Sequence, residues 1–279
     1  MSFKIIGDSC LDLTAELRKD PRFQIVPLTL QVDDTMVIDD DTFDQKKFLQ
    51  MVADSPNCPK SACPSPEAFK QAMECEAEDI FVITLSSHLS GCYNSAVLGK
   101  ELYEEEHGPK NILVIDSEGA SSSQVNLALK ILDLYEEGLG FEEVCRQILK
   151  LRDEQDVYFV LDSLETLRKN GRLTGLQAFF ATTLNIKPIK DGKKGVIVKL
   201  DQVRGLNKAL SRMCDIAVRD KTDLEQKRVI IAHCNCPERA LQVKAEMEKR
   251  GSYKDIVITE TAGVATLYAG DGGIVMEIG

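Results

Sequence analysis

Short apolar runs and amphipathic stretches alternate along the first half of the chain. The runs 3–7, 25–31, 80–85 and 112–116 are rich in β-branched and aromatic residues, which predicts buried strands. Pro27 cannot donate to a ladder, so it marks an edge or a strand end. Between the runs, apolar residues recur every three or four positions. Phe48, Leu49, Met51 and Val52 predict a helix whose acidic first turn is Asp39-Asp40-Asp41-Thr42. Ser65-Pro66-Glu67 reads as N-cap, N1 and N2 of a second helix through Met73. Further helices are predicted over 92–106, 124–136 and 141–152, with Gly138 and Gly140 separating the last two. A short helix is expected to start near Ser9 or Asp12. Alternating strands and helices predict a parallel sheet covered on both faces. Polar loops repeatedly follow the carboxyl ends of its strands, where open α/β sheets bind ligands.

The polar join 152–156 is the expected boundary, dividing the chain into 1–155 and 156–279. Beyond it, strands are predicted over 158–162, 186–189, 196–200, 229–232, 256–258 and 274–278. Asp191-Gly192 is a turn signal that makes 186–200 a hairpin. Helices are predicted from Leu164 to a stop at Asn170-Gly171, and over 176–184, 206–219, 238–250 and 262–267, with Arg204-Gly205 opening the third. The fold class that results is α/β in two domains. An N-terminal parallel sheet flanked by helices is followed by a mixed α/β domain.

One stretch of the first half concentrates polar chemistry. The strand 80–85 gives way to Ser86, Ser87, His88, Ser90 and Gly91, and the helical pattern resumes at Cys92. Hydroxyls and free backbone N–H groups then face a helix N-terminus, where an anion is welcome. The same residues fit a plainer role, with Ser90 capping the helix. Both readings stand at this level.

Composition narrows the function classes. The chain has 279 residues, 43% apolar and 28% charged, as in a globular protein with a sizeable core. Its net charge is −11, which speaks against a nucleic-acid partner and against average attraction to an anionic membrane, although a local basic patch would permit peripheral contact. No run approaches 18 apolar residues, and no signal-peptide core precedes the first acidic residue, so a cytoplasmic location is expected. Nine scattered cysteines are then expected as free thiols.

Most catalytic constellations are missing. The histidines are His88, His107 and His233, and no Gly-x-Ser-x-Gly elbow occurs. His233-Cys234-Asn235-Cys236 offers soft ligands without a second ligand pair, so packed thiols are the expectation. No phosphate-binding loop or dinucleotide fingerprint is present, which excludes a kinase or dehydrogenase of those types. What remains is an anion site without a nucleophile's support: Ser61, Ser87, Ser90, Arg172 and Arg204. The plainer reading of each arginine is a surface ion-pair partner.

Taken in order, these blocks resemble the DegV family across nearly the whole chain. Asp8-Ser9 resembles its opening Thr-Asp-Ser, followed by Val26-Pro27-Leu28 and Asp39. Lys60-Ser61-Ala62-Cys63-Pro64-Ser65 resembles its Lys-Thr-Ser-Gln-Pro-Ser. The block from Ser86 to Ala96 resembles Ser-Ser-x-Leu-Ser-Gly-Thr-Tyr-Gln-Ser-Ala. Leu164 to Arg172 resembles Leu-x-x-Leu-x-x-Gly-Gly-Arg, and Asn185-Ile186-Lys187-Pro188 resembles Asn-Ile-Lys-Pro.

The resemblance implies a bound long-chain fatty acid, with its tail between or within the domains and no other cofactor or metal. It implies that Ser61 and Ser90 hold the carboxylate, with Ser87, Gly91 and Asn94 of the same loop beside them, and that Arg172 and Arg204 lie at the carboxylate mouth or the kinase contact. It further implies a carrier and not an enzyme. A separate ATP-binding subunit of a fatty acid kinase would phosphorylate the presented carboxylate, giving acyl-phosphate for phospholipid synthesis. Two alternatives are a stand-alone acyl or carboxylate hydrolase or transferase using Ser90 and His88, and a lipid-sensing regulatory module. Two departures bear on the head group. Tyr268-Ala269-Gly270-Asp271-Gly272 stands where the family has His-Thr-Gly-Pro-Gly, so Tyr268 donates a hydrogen bond without a positive charge. Ser61-Ala62-Cys63 lacks one hydroxyl and one amide of the family loop.

Overall fold

The computed structural model describes residues 2–173, 186–192 and 195–279. The first half carries strands β1 (Phe3–Asp8), β2 (Phe23–Val26), β3 (Thr29–Val32), β4 (Thr35–Ile38), β5 (Lys60–Ala62), β6 (Asp79–Thr84) and β7 (Asn111–Asp116). Its helices are α1 (Gln45–Asp54), α2 (Pro66–Met73), α3 (Cys92–His107), α4 (Ser122–Glu136) and α5 (Phe141–Glu154). The second half begins with β8 (Asp156–Val160), α6 (Glu165–Lys169), β9 (Ile186–Asp191), β10 (Val198–Arg204) and α7 (Leu206–Val218). It ends with β11 (Arg228–His233), α8 (Pro237–Glu248), β12 (Asp255–Glu260), α9 (Gly263–Ala269) and β13 (Ile274–Ile278).

Among the described residues, β2-β1-β6-β7 form a parallel sheet. Every residue of β6 is buried, as a continuous apolar run on a central strand requires. Helices α2 and α3 cover one face, where Phe69, Met73, Ala96 and Tyr103 meet Ile6, Val26, Ile80 and Val82. Helices α4 and α5 cover the other, with Val125, Ile131, Val144 and Ile148 against Ile5, Phe81, Ile83 and Ile115. Ile230 of β11 joins that second cluster, so α4 lies between two sheets and is buried on both sides. The second sheet has the order β10-β9-β8-β13-β11-β12. It is antiparallel except for the β11–β12 pair. Its outer face packs Tyr158, Val160, Ile231 and Met276 against Leu210 and Met213 of α7 and Val243 and Met247 of α8. Each such side chain contributes about 1.5–3 kcal/mol relative to exposure. The expected α/β class is observed, as a parallel sheet flanked by helices and a second, mixed sheet.

Several local expectations are corrected. The run 25–31 is two strands in two different sheets. Pro27 has no N–H, and the next N–H, on Leu28, goes to Ser9 Oγ at 3.0 Å instead of to a ladder. No helix starts at Ser9 or Asp12. The Asp8 carboxylate accepts the Cys10 N–H at 3.1 Å and holds a turn there, and the first helical turn is a short 3₁₀ piece at Leu17–Lys19. The acidic run 39–41 does not enter α1, which is capped by Asp44 through the Lys47 N–H at 3.0 Å. The loop expected around Ser61 is strand β5, paired with β3 in the antiparallel sheet β4-β3-β5 with Ser61 opposite Leu30. The hairpin forms between β9 and β10, with an irregularity between Lys199 and Asp201. It carries Arg204 at the end of β10, and Gly205, at φ 92°, makes the entry to α7. Ser65 caps α2 as expected, accepting the Ala68 N–H at 3.2 Å. The helix expected over 176–184 lies outside the described residues.

Candidate functional site

An apolar cavity of about 120 Å³ lies where the first half meets the second. Leu28, Leu85 and Leu89 line it from one side, and Val157, Phe159, Leu161, Leu167 and Val275 from the other. The wall on β8 follows the strand period. Val157, Phe159 and Leu161 face the cavity, while Tyr158 and Val160 face the α7–α8 core. From Val157 to Leu161 the wall extends about 13 Å at roughly 3.3 Å per residue.

Polar groups gather at one part of this wall. Ser61 Oγ and the Tyr268 hydroxyl are hydrogen-bonded at 3.0 Å. The Arg172 guanidinium lies over the Tyr268 ring, 5.6 Å from its centroid. Ser90 lines the cavity together with these three. Arg172 is aimed by its backbone. Gly171, at φ 73°, turns the chain out of α6, and the Arg172 N–H reaches back to Leu167 O at 2.8 Å. The side chain then donates from Nε to Leu89 O at 3.2 Å and from Nη1 to Asn170 O. Both acceptors are carbonyls, so its charge has no carboxylate partner among the described residues. Asn170 Nδ2 in turn donates to Pro59 O at 3.0 Å, tying the end of α6 to the approach of β5.

The Ser-rich loop after β6 is fixed from below by Asp8. That buried carboxylate accepts the Leu85 N–H at 2.7 Å and Gln124 Nε2 at 3.1 Å. Burial pushes its pKa up to about 6 despite these hydrogen bonds. The Ser86 N–H goes to Gly119 O, and the Leu89 and Ser90 N–H groups go to Ser86 O. Gly91 is the N-cap of α3, and no side chain caps that helix. Ser90 Oγ lies 3.4 Å from the Cys92 N–H and donates to Cys92 Sγ at 3.2 Å. Its hydroxyl therefore makes only long internal bonds and retains acceptor capacity beside the cavity it lines. The Ser90–His88 pair needed by a hydrolase is not made, because Ser90 bonds to Cys92 and His88 is exposed.

Helix α9 brings Val264, Ala265, Tyr268 and Ala269 to the cavity. Its N-terminus is held by two buried aspartates. Asp39 takes the Gly263 N–H at 2.6 Å and the Val264 N–H at 2.7 Å, and Asp12 takes the Ala262 N–H at 2.6 Å. Asp12 also accepts from Ser121 Oγ. Burial raises the pKa of Asp12 to about 7 and that of Asp39 above the usual carboxylate range. The pattern of apolar runs could not reveal these aspartates, since each serves backbone groups more than two hundred residues away in sequence.

The structure thus brings together Ser61, Ser90, Arg172 and Tyr268 of the eight expected positions. It does not bring the other four to the cavity. Ser87 is exposed, with its N–H on Asp116 Oδ1 at 3.1 Å. Asn94 is exposed on α3. Gly91 abuts Cys63, whose Sγ would lie 3.3 Å from a Cβ at that position. Arg204 is exposed at the end of the edge strand β10, opposite Ile186. Spacing in the chain grouped Ser87, Gly91 and Asn94 with Ser90, but the loop and helix direction turn them away from the cavity, while Arg204 was expected from the resemblance at the mouth or the kinase contact. Away from the cavity, His233 Nδ1 accepts the Cys236 N–H at 3.3 Å, and burial pushes the thiols of Cys234 and Cys236 up to about 11. All nine cysteines are free thiols. Among the described residues, no helix is long and apolar enough to cross a membrane.

Comparison with known proteins places this arrangement. The family model that matches, described as "Uncharacterised protein, DegV family", covers residues 2–278. A DegV domain-containing protein of Streptococcus pyogenes serotype M1 is 37% identical over 281 residues, covering 99% of both chains. Among solved structures, a DegV family protein of Ruminococcus gnavus with vaccenic acid is 45% identical, with a TM-score of 0.96 over 99% of each chain. The Fatty Acid Kinase (Fak) B3 protein of Streptococcus pneumoniae, loaded with linoleic acid, is 33% identical, with a TM-score of 0.91 over 99% of each chain. A fatty-acid-binding protein of Thermus thermophilus is 26% identical, with a TM-score of 0.89 over 100% of this chain and 99% of that one.

Proposed function

The chain belongs to the DegV family, and from that premise we propose that it binds a long-chain fatty acid and presents the carboxylate to a separate ATP-dependent kinase subunit. The observation that carries the reading is a cavity walled by apolar side chains whose hydroxyls and one guanidinium meet at Ser61, Ser90, Tyr268 and Arg172. The tail supplies the affinity, at about 0.8 kcal/mol for each methylene removed from water. The head group is held by two serine hydroxyls and the Tyr268 hydroxyl, with Arg172 neutralising the carboxylate's charge. A tyrosine at 268 brings no positive charge where a histidine could, so Arg172 is the charge partner in this reading.

In this reading the chain is a carrier and not the catalyst. Among the described residues, no base is hydrogen-bonded to Ser90, and no loop for nucleotide phosphates is present in the sequence. Phosphorylation then falls to a partner that reaches the carboxylate from outside, and the exposed Arg204 on β10 is assigned to that contact. The division at 155/156 makes the cavity an interdomain one, and the protein would work in the cytoplasm with at most peripheral contact to membranes. The fatty acids carried by the Ruminococcus gnavus and Streptococcus pneumoniae proteins support the ligand class. Reconstitution tests the whole proposal. Protein loaded with oleic acid, mixed with a fatty acid kinase ATP-binding subunit and ATP, is expected to yield acyl-phosphate, trapped as the hydroxamate. Product formed without the kinase subunit would make the chain an enzyme. Loaded protein that the kinase subunit does not consume would leave it a lipid-sensing module.

A further inference from the structure

We propose that Asp39 is a positioning residue for the head-group end of the cavity, acting through α9; this rests on the fatty-acid reading above. Asp39 does not itself line the cavity. Its two oxygens are instead divided between two successive N–H groups of α9, Gly263 at 2.6 Å and Val264 at 2.7 Å. Those N–H groups have no partner within a helix. A buried carboxylate bridging them makes charge-assisted bonds, roughly twice as strong as neutral ones.

The helix so held is the one that carries Val264, Ala265 and Tyr268 to the cavity wall. Val264 and Tyr268 are four residues apart, or about 6 Å along a helix. A shift or tilt at the Asp39 end therefore reaches the Tyr268 hydroxyl, whose partner Ser61 sits on β5 and not on α9. Asp39 thus sets where the Tyr268 hydroxyl stands beside Ser61, and so the pair of hydroxyls a carboxylate would meet.

The residue at 263 is fitted to the same contact. A Cβ there would lie 2.5 Å from Asp39 Oδ1, 2.6 Å from its carboxyl carbon and 2.7 Å from Leu30 Cδ1. The backbone at Gly263 is not in the left-handed region, so its conformation alone does not demand glycine. What demands it is the approach of this carboxylate. The contact is shaped from both sides, by residues 224 positions apart.

The test pairs two variants with two ligands. Asp39→Asn removes one acceptor and turns an amide N–H₂ toward a backbone donor. Gly263→Ala pushes the same contact apart from the other side. Delipidated wild type and each variant are titrated with oleic acid and with oleyl alcohol, which shares the tail but lacks the carboxylate. Both variants are expected to bind oleic acid at least tenfold more weakly while keeping oleyl alcohol within about twofold. Asp39→Asn added to Tyr268→Phe is expected to cost less than threefold further. Equal losses for acid and alcohol, or none for either, would overturn the positioning role. If Asp39→Asn does not yield folded protein, an unchanged acid-to-alcohol ratio in Gly263→Ala overturns it alone. Wild type that takes up neither ligand would instead remove the fatty-acid reading, and this inference with it.

Discussion

Val157 is the first cavity-facing residue of β8, about 13 Å along the strand from Leu161. Its carbonyl accepts the Gly192 N–H at 2.9 Å, and these two residues also border a small polar cleft formed with Arg152, Asp153 and Gln155. The pair is therefore a thin floor between the apolar cavity and a polar exterior. Val157→Phe adds four carbons to that floor. If they occupy the space of the last carbons of a bound tail, about four methylenes lose their burial, worth roughly 3 kcal/mol. That is on the order of a hundredfold in Kd for an acid that fills the cavity. An acid four carbons shorter never reaches the added ring and should keep its wild-type affinity. Displacement of a fluorescent fatty acid from delipidated protein by oleic acid and by myristic acid reads both numbers, with the thermal midpoint as a control for folding. A Val157→Phe protein that folds normally and loses both acids equally, or neither, would refute the orientation of the tail along β8.

Other expectations follow from single contacts. Tyr268→Phe removes the hydroxyl on Ser61 and should weaken fatty acid binding by about 1–3 kcal/mol in an equilibrium titration, with the fold unchanged. Arg172→Ala should weaken carboxylate binding while sparing oleyl alcohol, and the difference should shrink at high salt. Stability should depend on pH through Asp8 and Asp12, whose pKa values rise from 3.8 to about 6 and about 7 on folding. Groups shifted upward stabilise the fold below their unfolded value, and that contribution is lost as pH rises through 6 and 7. The melting midpoint should accordingly fall from about pH 4 to about pH 7 and level off above that. Asp12→Asn, which still accepts from Ala262 and faces Ser121, should flatten the slope by up to about 1.4 kcal/mol per pH unit, and a slope unchanged in the variant would count against the assignment. Gly195→Ala should lower the midpoint, because φ is 72° and a Cβ would lie 2.0 Å from Ser86 Oγ.

The buried framework was legible because it is written in local pattern. Strands β6 and β7 are built on continuous apolar runs, β1 on a short one, and α2 announces itself through Ser65-Pro66. Strand β5 was not legible. Lys60-Ser61-Ala62 has no strand pattern of its own and is extended because β3 offers it a partner. The same holds for the turn at Ser9. Asp8 and Ser9 are spent on the backbone of residues 10, 28 and 85, which only the folded chain brings near. At the site, Ser61, Ser90, Arg172 and Tyr268 were expected from motif order and line the cavity, while Ser87, Gly91 and Asn94 were grouped with Ser90 by proximity in the chain, and Arg204, expected from the later Arg-Gly, lies apart on β10. Proximity does not say which way a side chain points. Asp39 illustrates the opposite failure, since it read as one of three acids opening a helix and is instead buried against the far end of the sequence.

The central claim is that the cavity exists to hold an acyl chain. Protein purified from a bacterial host, extracted with organic solvent and analysed by mass spectrometry, tests it most directly. Close to one long-chain fatty acid per chain is the predicted result, with delipidated protein gaining thermal stability when oleic acid is returned. Extracts without fatty acid, together with no shift in the melting midpoint on adding oleic or palmitic acid, would contradict it.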